Sequence, residues 1–168
     1  EITNKPSEFQ KKYKIYHSIS EFEKIIRWIN RNYNIISPND IKSNKKLKAL
    51  ITFDDGYLGS FNHGIPLLES FNIPSIHFLN YRPIEKQEAN IVSTIDYLCN
   101  YDENFKNFFI KQNIKFDKFN FYDLTPKIFK NFLHNYKIPI AQIKEYQGKI
   151  VDTDGLIKLK DNKLVFFG

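Results

Sequence analysis

The sequence predicts an α/β domain built on parallel strands and carrying a mostly helical insertion. Leu47–Phe53 (LKALITF), Ser60–Phe71 and Ser75–Asn80 follow one another as β-rich, helix-periodic and β-rich segments. That spacing is a βαβ unit, which makes the two strands parallel and the crossover right-handed. Leu47–Phe53 is also mostly apolar without clean alternation, as in a strand covered on both faces. Residues 84–148 change character and read as a succession of helices inside one domain spanning 1–168.

Taken in order, Lys12–His17 (KYKIYH) alternates apolar and polar residues and reads as a short strand. Ser18 or Ser20 then caps a helix. Glu21 and Glu23 lie in its first turn, where the helix dipole favours acid, and Phe22, Ile25, Ile26 and Ile29 form its buried stripe. Tyr33–Ser37 is extended and closed by Pro38, with a second cap at Asn39 or Asp40. After the strand at Leu47–Phe53, the helix at Ser60–Phe71 can accept Pro66 only near its first turn. Within the insertion, helices are expected at Ile91–Asn100, Glu103–Lys111, Pro126–Tyr136 and Ala141–Gln147, and an extended piece at Phe116–Tyr122. Asp152–Asp154 with Gly155 marks a turn, Leu156–Leu159 is a brief helix or strand, and Leu164–Phe167 is a last strand.

Composition narrows the function. The apolar fraction of 42% and charged fraction of 26% over 168 residues describe a globular chain. No apolar run approaches the roughly 20 residues of a membrane span. One cysteine, Cys99, leaves no internal disulfide framework and no multi-cysteine zinc cage. The net charge of +6 invites a nucleic-acid reading. However, the lysines are spread out, and Lys, Asn, Ile, Phe and Tyr are abundant together, as low-GC coding produces. The dense run Lys42–Lys48 (KSNKKLK) reads as a solvated connection, so no nucleic-acid partner is expected. The chain has no methionine, so Glu1 reads as the start of an excised segment.

Chemistry concentrates at Asp54-Asp55-Gly56, where a buried strand ends abruptly. Parallel sheets place their binding sites beyond the carboxyl ends of the strands. Two adjacent carboxylates repel unless a cation or proton intervenes. A divalent metal would settle that repulsion, one carboxylate binding it and the other handling a proton. Asp-Gly is equally an ordinary turn signal, and by itself the tripeptide is no more than that.

Its surroundings add more. The string LITFDDGYLGSFNHGIPLLESFNIPSIHFLNY resembles the opening of the polysaccharide deacetylase family (the chitooligosaccharide deacetylase homology domain). Thr52–Tyr57, Pro66 with Leu68, Ile73-Pro74 and Phe78-Leu79 carry the likeness, with Tyr16–Ser20 and Tyr33–Ser37 upstream. It is strong over 12–81, weak through the insertion, and returns at 150–168. The resemblance implies part of a distorted (β/α) barrel of the glycoside hydrolase and deacetylase type. It further implies a metal-dependent hydrolase that removes an N-acetyl or O-acetyl group from a carbohydrate, an N-acetylated glycan. By it, Asp54 is the general base that activates water, and Asp55 is a ligand of a divalent metal, usually zinc.

The sequence departs from the family in one respect. The family's His pair at i, i+4 spacing is absent from these residues, and Leu164–Gly168 looks like the lead-in to it. Catalytic zinc needs about three protein ligands, so the segment alone is expected to bind metal weakly and be inactive. The alternative is a catalytically silent relative that binds a glycan or a partner, and a third reading is a basic surface-binding module. Of the four histidines, His17 ends the first predicted strand on the same rim and is a candidate for substrate binding. His63 reads as a surface or capping residue, His77 as a core residue and His134 as solvated. Helical spacing assigns Phe105, Phe108 and Phe109 to packing, leaving Tyr57 and Tyr81 as candidate rings against a sugar.

Overall fold

The computed structural model describes residues 1–43, 46–86, 88–111 and 139–168. Helices α1 (Glu8–Tyr13) and α2 (Ile19–Asn32) lead into β1 (Asn34–Ile35), a 3₁₀ turn (Pro38–Asp40), β2 (Lys48–Ala49) and β3 (Ile51–Phe53). A π-helical turn (Ser60–Gly64) runs into α3 (Ile65–Ser70), followed by β4 (Ser75–His77) and α4 (Tyr81–Glu85). Helices α5 (Ile91–Tyr101), α6 (Glu103–Lys111), α7 (Ile140–Gln147) and α8 (Thr153–Ile157) precede β5 (Val165–Phe167). All strand pairs are parallel. β1 pairs β2, and a three-stranded sheet runs β3-β4-β5. The architecture is mixed α/β with two small parallel sheets.

The chain divides into two compact units, Glu1–Glu88 with Gly148–Gly168, and Ala89–Gln147. Ile84 is buried in the core of the first unit with Phe61, Ile65, Val151 and Val165, so 84–88 belongs there. The described part of the second unit is helical, with Leu98, Phe105 and Ile143 fully buried. The expected segments Phe116–Tyr122 and Pro126–Tyr136, with His134 and the side chain of Phe109, lie outside the described residues.

Local chemistry explains the helix starts. Ser18 caps α2, its Oγ accepting from the Glu21 N–H while the Glu21 carboxylate accepts from the Ser18 N–H. Phe22 and Ile26 are buried and Ile29 is partly so, while Ile25 faces solvent. They join Ile2, Ile51, Leu68 and Ile73 in one core cluster.

Five expectations change. Lys12–His17 is not a strand: Ser7 and Gln10 form a capping box that starts α1, and Phe9 packs on Tyr13 one turn later (4.8 Å). Of that segment, only His17 pairs as a strand does, in a bridge to Ile2.

Leu47–Phe53 divides into β2 and β3, each with its own partner. It is not covered on both faces, because the register sets Thr52, Ile76 and Phe166 together on a face where Thr52 is exposed.

The helix after the Asp-Asp-Gly turn opens as a π turn. Pro66 has no N–H to donate four residues back, and the Ile65 N–H goes to the Ser60 carbonyl. Finally, Asp152 and Asp154 do not form a free turn. Asp152 caps α8 by accepting from the Gly155 N–H (2.8 Å). The 3₁₀ turn likewise has Ser37, not Asn39 or Asp40, at its cap position.

Candidate functional site

β3 ends at Phe53, and the next three residues reverse the chain. Asp55 (φ 67°) and Gly56 (φ 73°) both take left-handed backbone, which glycine adopts freely and Asp more readily than most residues. The chain then enters an antiparallel bridge between Tyr57 and Ile150, with the Val151 N–H on the Gly56 carbonyl and the Leu58 N–H on the Lys149 carbonyl. The turn therefore caps the carboxyl end of a parallel strand and is not the tip of a hairpin between neighbouring strands.

The two carboxylates have different surroundings. Asp54 is exposed. Asp55 is half-buried, and its Oδ1 accepts from Asn80 Nδ2 at 2.6 Å. Asn80 follows β4, and the pairing of Phe53 with His77 brings the ends of the two strands level. Burial pushes the Asp55 carboxyl above the usual carboxylate range. The Asn80 bond acts against that shift, and the neighbouring Asp54 charge adds to it.

A third acid, which no motif of the sequence singles out, lies close by. Glu1 Oε1 accepts from the Gly59 N–H (3.1 Å), and burial pushes its carboxyl up to about 7. Its signal is visible only in three dimensions, since Gly59 leaves the space the Glu1 side chain fills.

The other candidates separate. Tyr57, expected to line a cleft, is a core residue at 6% exposure. Its bridge to Ile150 turns it inward, and burial, with the charges of Asp55 and Glu1, holds its hydroxyl well above the ordinary range. Tyr81, next to Asn80, is 63% exposed and hydrogen-bonded to Glu85. His17 is exposed and pairs with Ile2, and no hydrogen bond joins it to Asp54 or Asp55 among the described residues. His63 is exposed on the π turn, and His77 is buried in β4.

The structure thus brings together Asp54, Asp55 and Asn80, with Tyr81 adjoining. Chemically this is an accessible proton acceptor beside a carboxylate of fixed orientation. Among the described residues, no three His, Cys, Asp or Glu side chains converge well enough to hold a metal ion. Those residues do not by themselves make a zinc site.

Over 91% of its length the chain is similar to the solved structure of a de-N-acetylase from Aggregatibacter actinomycetemcomitans, with 17% identity and a TM-score of 0.46. It spans 44% of that protein. It is also similar to the Streptococcus pyogenes deacetylase PplD, solved in complex with acetate. There 38% of this chain and 32% of that one are covered, with 18% identity and a TM-score of 0.33. No protein-family model matches the chain, and no curated protein does.

Proposed function

We propose that the chain is part of a carbohydrate deacetylase, a hydrolase that frees acetate from an N-acetylated glycan, built on part of a distorted (β/α) barrel. One observation carries the reading: an Asp-Asp-Gly turn at the carboxyl end of a parallel strand, with one carboxylate open and the other oriented by Asn80 from the next strand. In this reading Asp54 is the base. Its exposed carboxylate takes a proton from the water that attacks the acetyl carbonyl, and amine and acetate are released. Asp55 gives one oxygen ligand to a divalent metal, zinc by the family resemblance, whose other ligands the described residues do not supply. Tyr81 offers an exposed ring to a sugar beside Asn80, and His17 lies on a segment paired with Ile2.

A second reading is a silent relative that binds glycan without hydrolysing it. The test uses the whole protein of which this chain is proposed to be part, and measures acetate release from, and binding of, N-acetylglucosamine oligomers with added zinc, for the wild type, Asp54→Asn and Asp55→Asn. Turnover lost in Asp54→Asn supports the enzyme. Binding without release, weakened by Asp55→Asn, selects the silent relative. Neither binding nor release, or full activity of Asp54→Asn, refutes the deacetylase reading.

A further inference from the structure

Lys42 and Lys46, on the connection between β1 and β2, play no part in the reading above, and they border an unusual piece of surface. Trp28, the chain's one tryptophan, is 58% exposed on α2, and its ring meets that of Tyr33 at 5.8 Å. The Asn34 N–H donates to the Leu47 carbonyl (2.8 Å), which sets Leu47 beside the Tyr33 end of β1. Leu47 is 69% exposed and has φ 49°, a left-handed conformation that a branched apolar residue seldom takes. Lys48 Nζ donates to the carbonyls of Ile41 (2.6 Å) and Ser43 (2.9 Å), drawing Ile41, 55% exposed, toward the same edge. Scattered apolar residues on a surface are normal, but here four large ones lie on adjoining segments, tied by the Trp28–Tyr33 ring contact and by the hydrogen bonds of Asn34 and Lys48.

Around them stand the exposed cations Arg31, Lys42, Lys46 and Lys48. The acid on this stretch, Asp40, accepts a hydrogen bond from Ser37. We propose that this face, made by α2 and the β1–β2 pair, docks the protein on an anionic lipid surface. The mixture of side chains selects lipid over other partners. A sugar or a nucleobase could stack on Trp28 and Tyr33, but neither gives Leu47 and Ile41 a reason to be exposed. Aliphatic side chains gain by leaving water for an apolar environment, and a lipid surface supplies one beneath anionic headgroups that the surrounding cations match. Trp and Tyr settle at the headgroup level, and lysines there are drawn to anionic lipid. The contact is peripheral, since no helix among the described residues is long and apolar enough to cross a membrane. It is independent of the deacetylase reading and stands or falls without it.

Trp28 is its own reporter. Its emission should shift to the blue when the full chain meets vesicles of phosphatidylcholine with a minority of phosphatidylglycerol, but not phosphatidylcholine alone. Salt should weaken binding, because the headgroup attraction is screened. Lys46→Ser should weaken binding about fivefold. Leu47→Asn, which suits the left-handed backbone and should leave the circular dichroism unchanged, should weaken it about tenfold.

The proposal is overturned by the absence of a shift with anionic vesicles, or by binding that ignores both substitutions. A larger shift with a single-stranded oligonucleotide would make the face a nucleic-acid surface. A shift that grows with protein concentration in the absence of lipid would make it a contact between copies.

Discussion

His77 offers a measurable consequence of how the sheet is built. It sits in β4 at 1% exposure, stacked on Phe53 from β3 (4.8 Å, 17°) and touched by Phe61 from the π turn (4.9 Å) and Phe167 from β5 (6.2 Å). Its Nε2 shares a 3.1 Å hydrogen bond with the Ser75 hydroxyl, and its Nδ1 has no partner among the described residues. Burial lowers the imidazole pKa from 6.5 to about 4. Above pH 6.5 the ring is neutral whether the chain is folded or not, and titration costs nothing. As the pH falls below 6.5 the unfolded chain takes up a proton that the folded ring refuses, so stability drops until the folded ring protonates near pH 4. The full loss is about 3 kcal/mol, a large part of a typical domain's 5–15 kcal/mol. Glu1 and Asp55, whose carboxyls are raised in the fold, act with the opposite sign, but they are common to wild type and variant and cancel in the difference. The assay is urea unfolding of wild type and His77→Leu across this pH range. The wild type should lose about 3 kcal/mol more than the variant on going from pH 6.5 to pH 4. Parallel curves would refute the argument, showing that the ring reaches water or a partner before the protein unfolds.

Other expectations follow from single contacts. Asn80→Ala removes the 2.6 Å bond to Asp55. The Asp55 titration midpoint, followed by carbon-detected NMR, should move up, and stability at neutral pH should fall by about 1 kcal/mol. Gly56→Ala forces a side chain onto a φ of 73°. Since the new Cβ would meet Ile84, Leu79 and Val151 only at ordinary contact distances, the cost should be the backbone strain of about 1–2 kcal/mol, read by denaturant unfolding. Ser18→Ala should cost about 1 kcal/mol by loss of the α2 cap, while Ser20→Ala should cost little.

Much of the fold was legible because its signals are local. The Ser18 cap, the stripe through Phe22 and Ile26, the βαβ spacing around Pro66 and the α6 bounds each follow from neighbouring residues. Where expectation failed, two local signals competed or a distant partner decided. KYKIYH alternates like a strand, yet the Ser7–Gln10 box upstream commits its first residues to α1. LKALITF looks like one strand, but β2 takes its partner from residues 34–35 and β3 from 75–77.

The site divides in the same way. Asp54 and Asp55 could be proposed from sequence because the Asp-Asp-Gly tripeptide stands within a longer string of neighbouring residues that carries the family resemblance. That one carboxylate is open and the other bound could not, since Asn80 lies 25 residues away and reaches Asp55 only through the β3–β4 register. The same holds for Tyr57, whose identity suits a cleft but whose pairing with Ile150 buries it. Propensity, capping and turn geometry act over a few residues and are written into the chain. Burial and orientation depend on which distant segments meet, and only the folded sheet decides them.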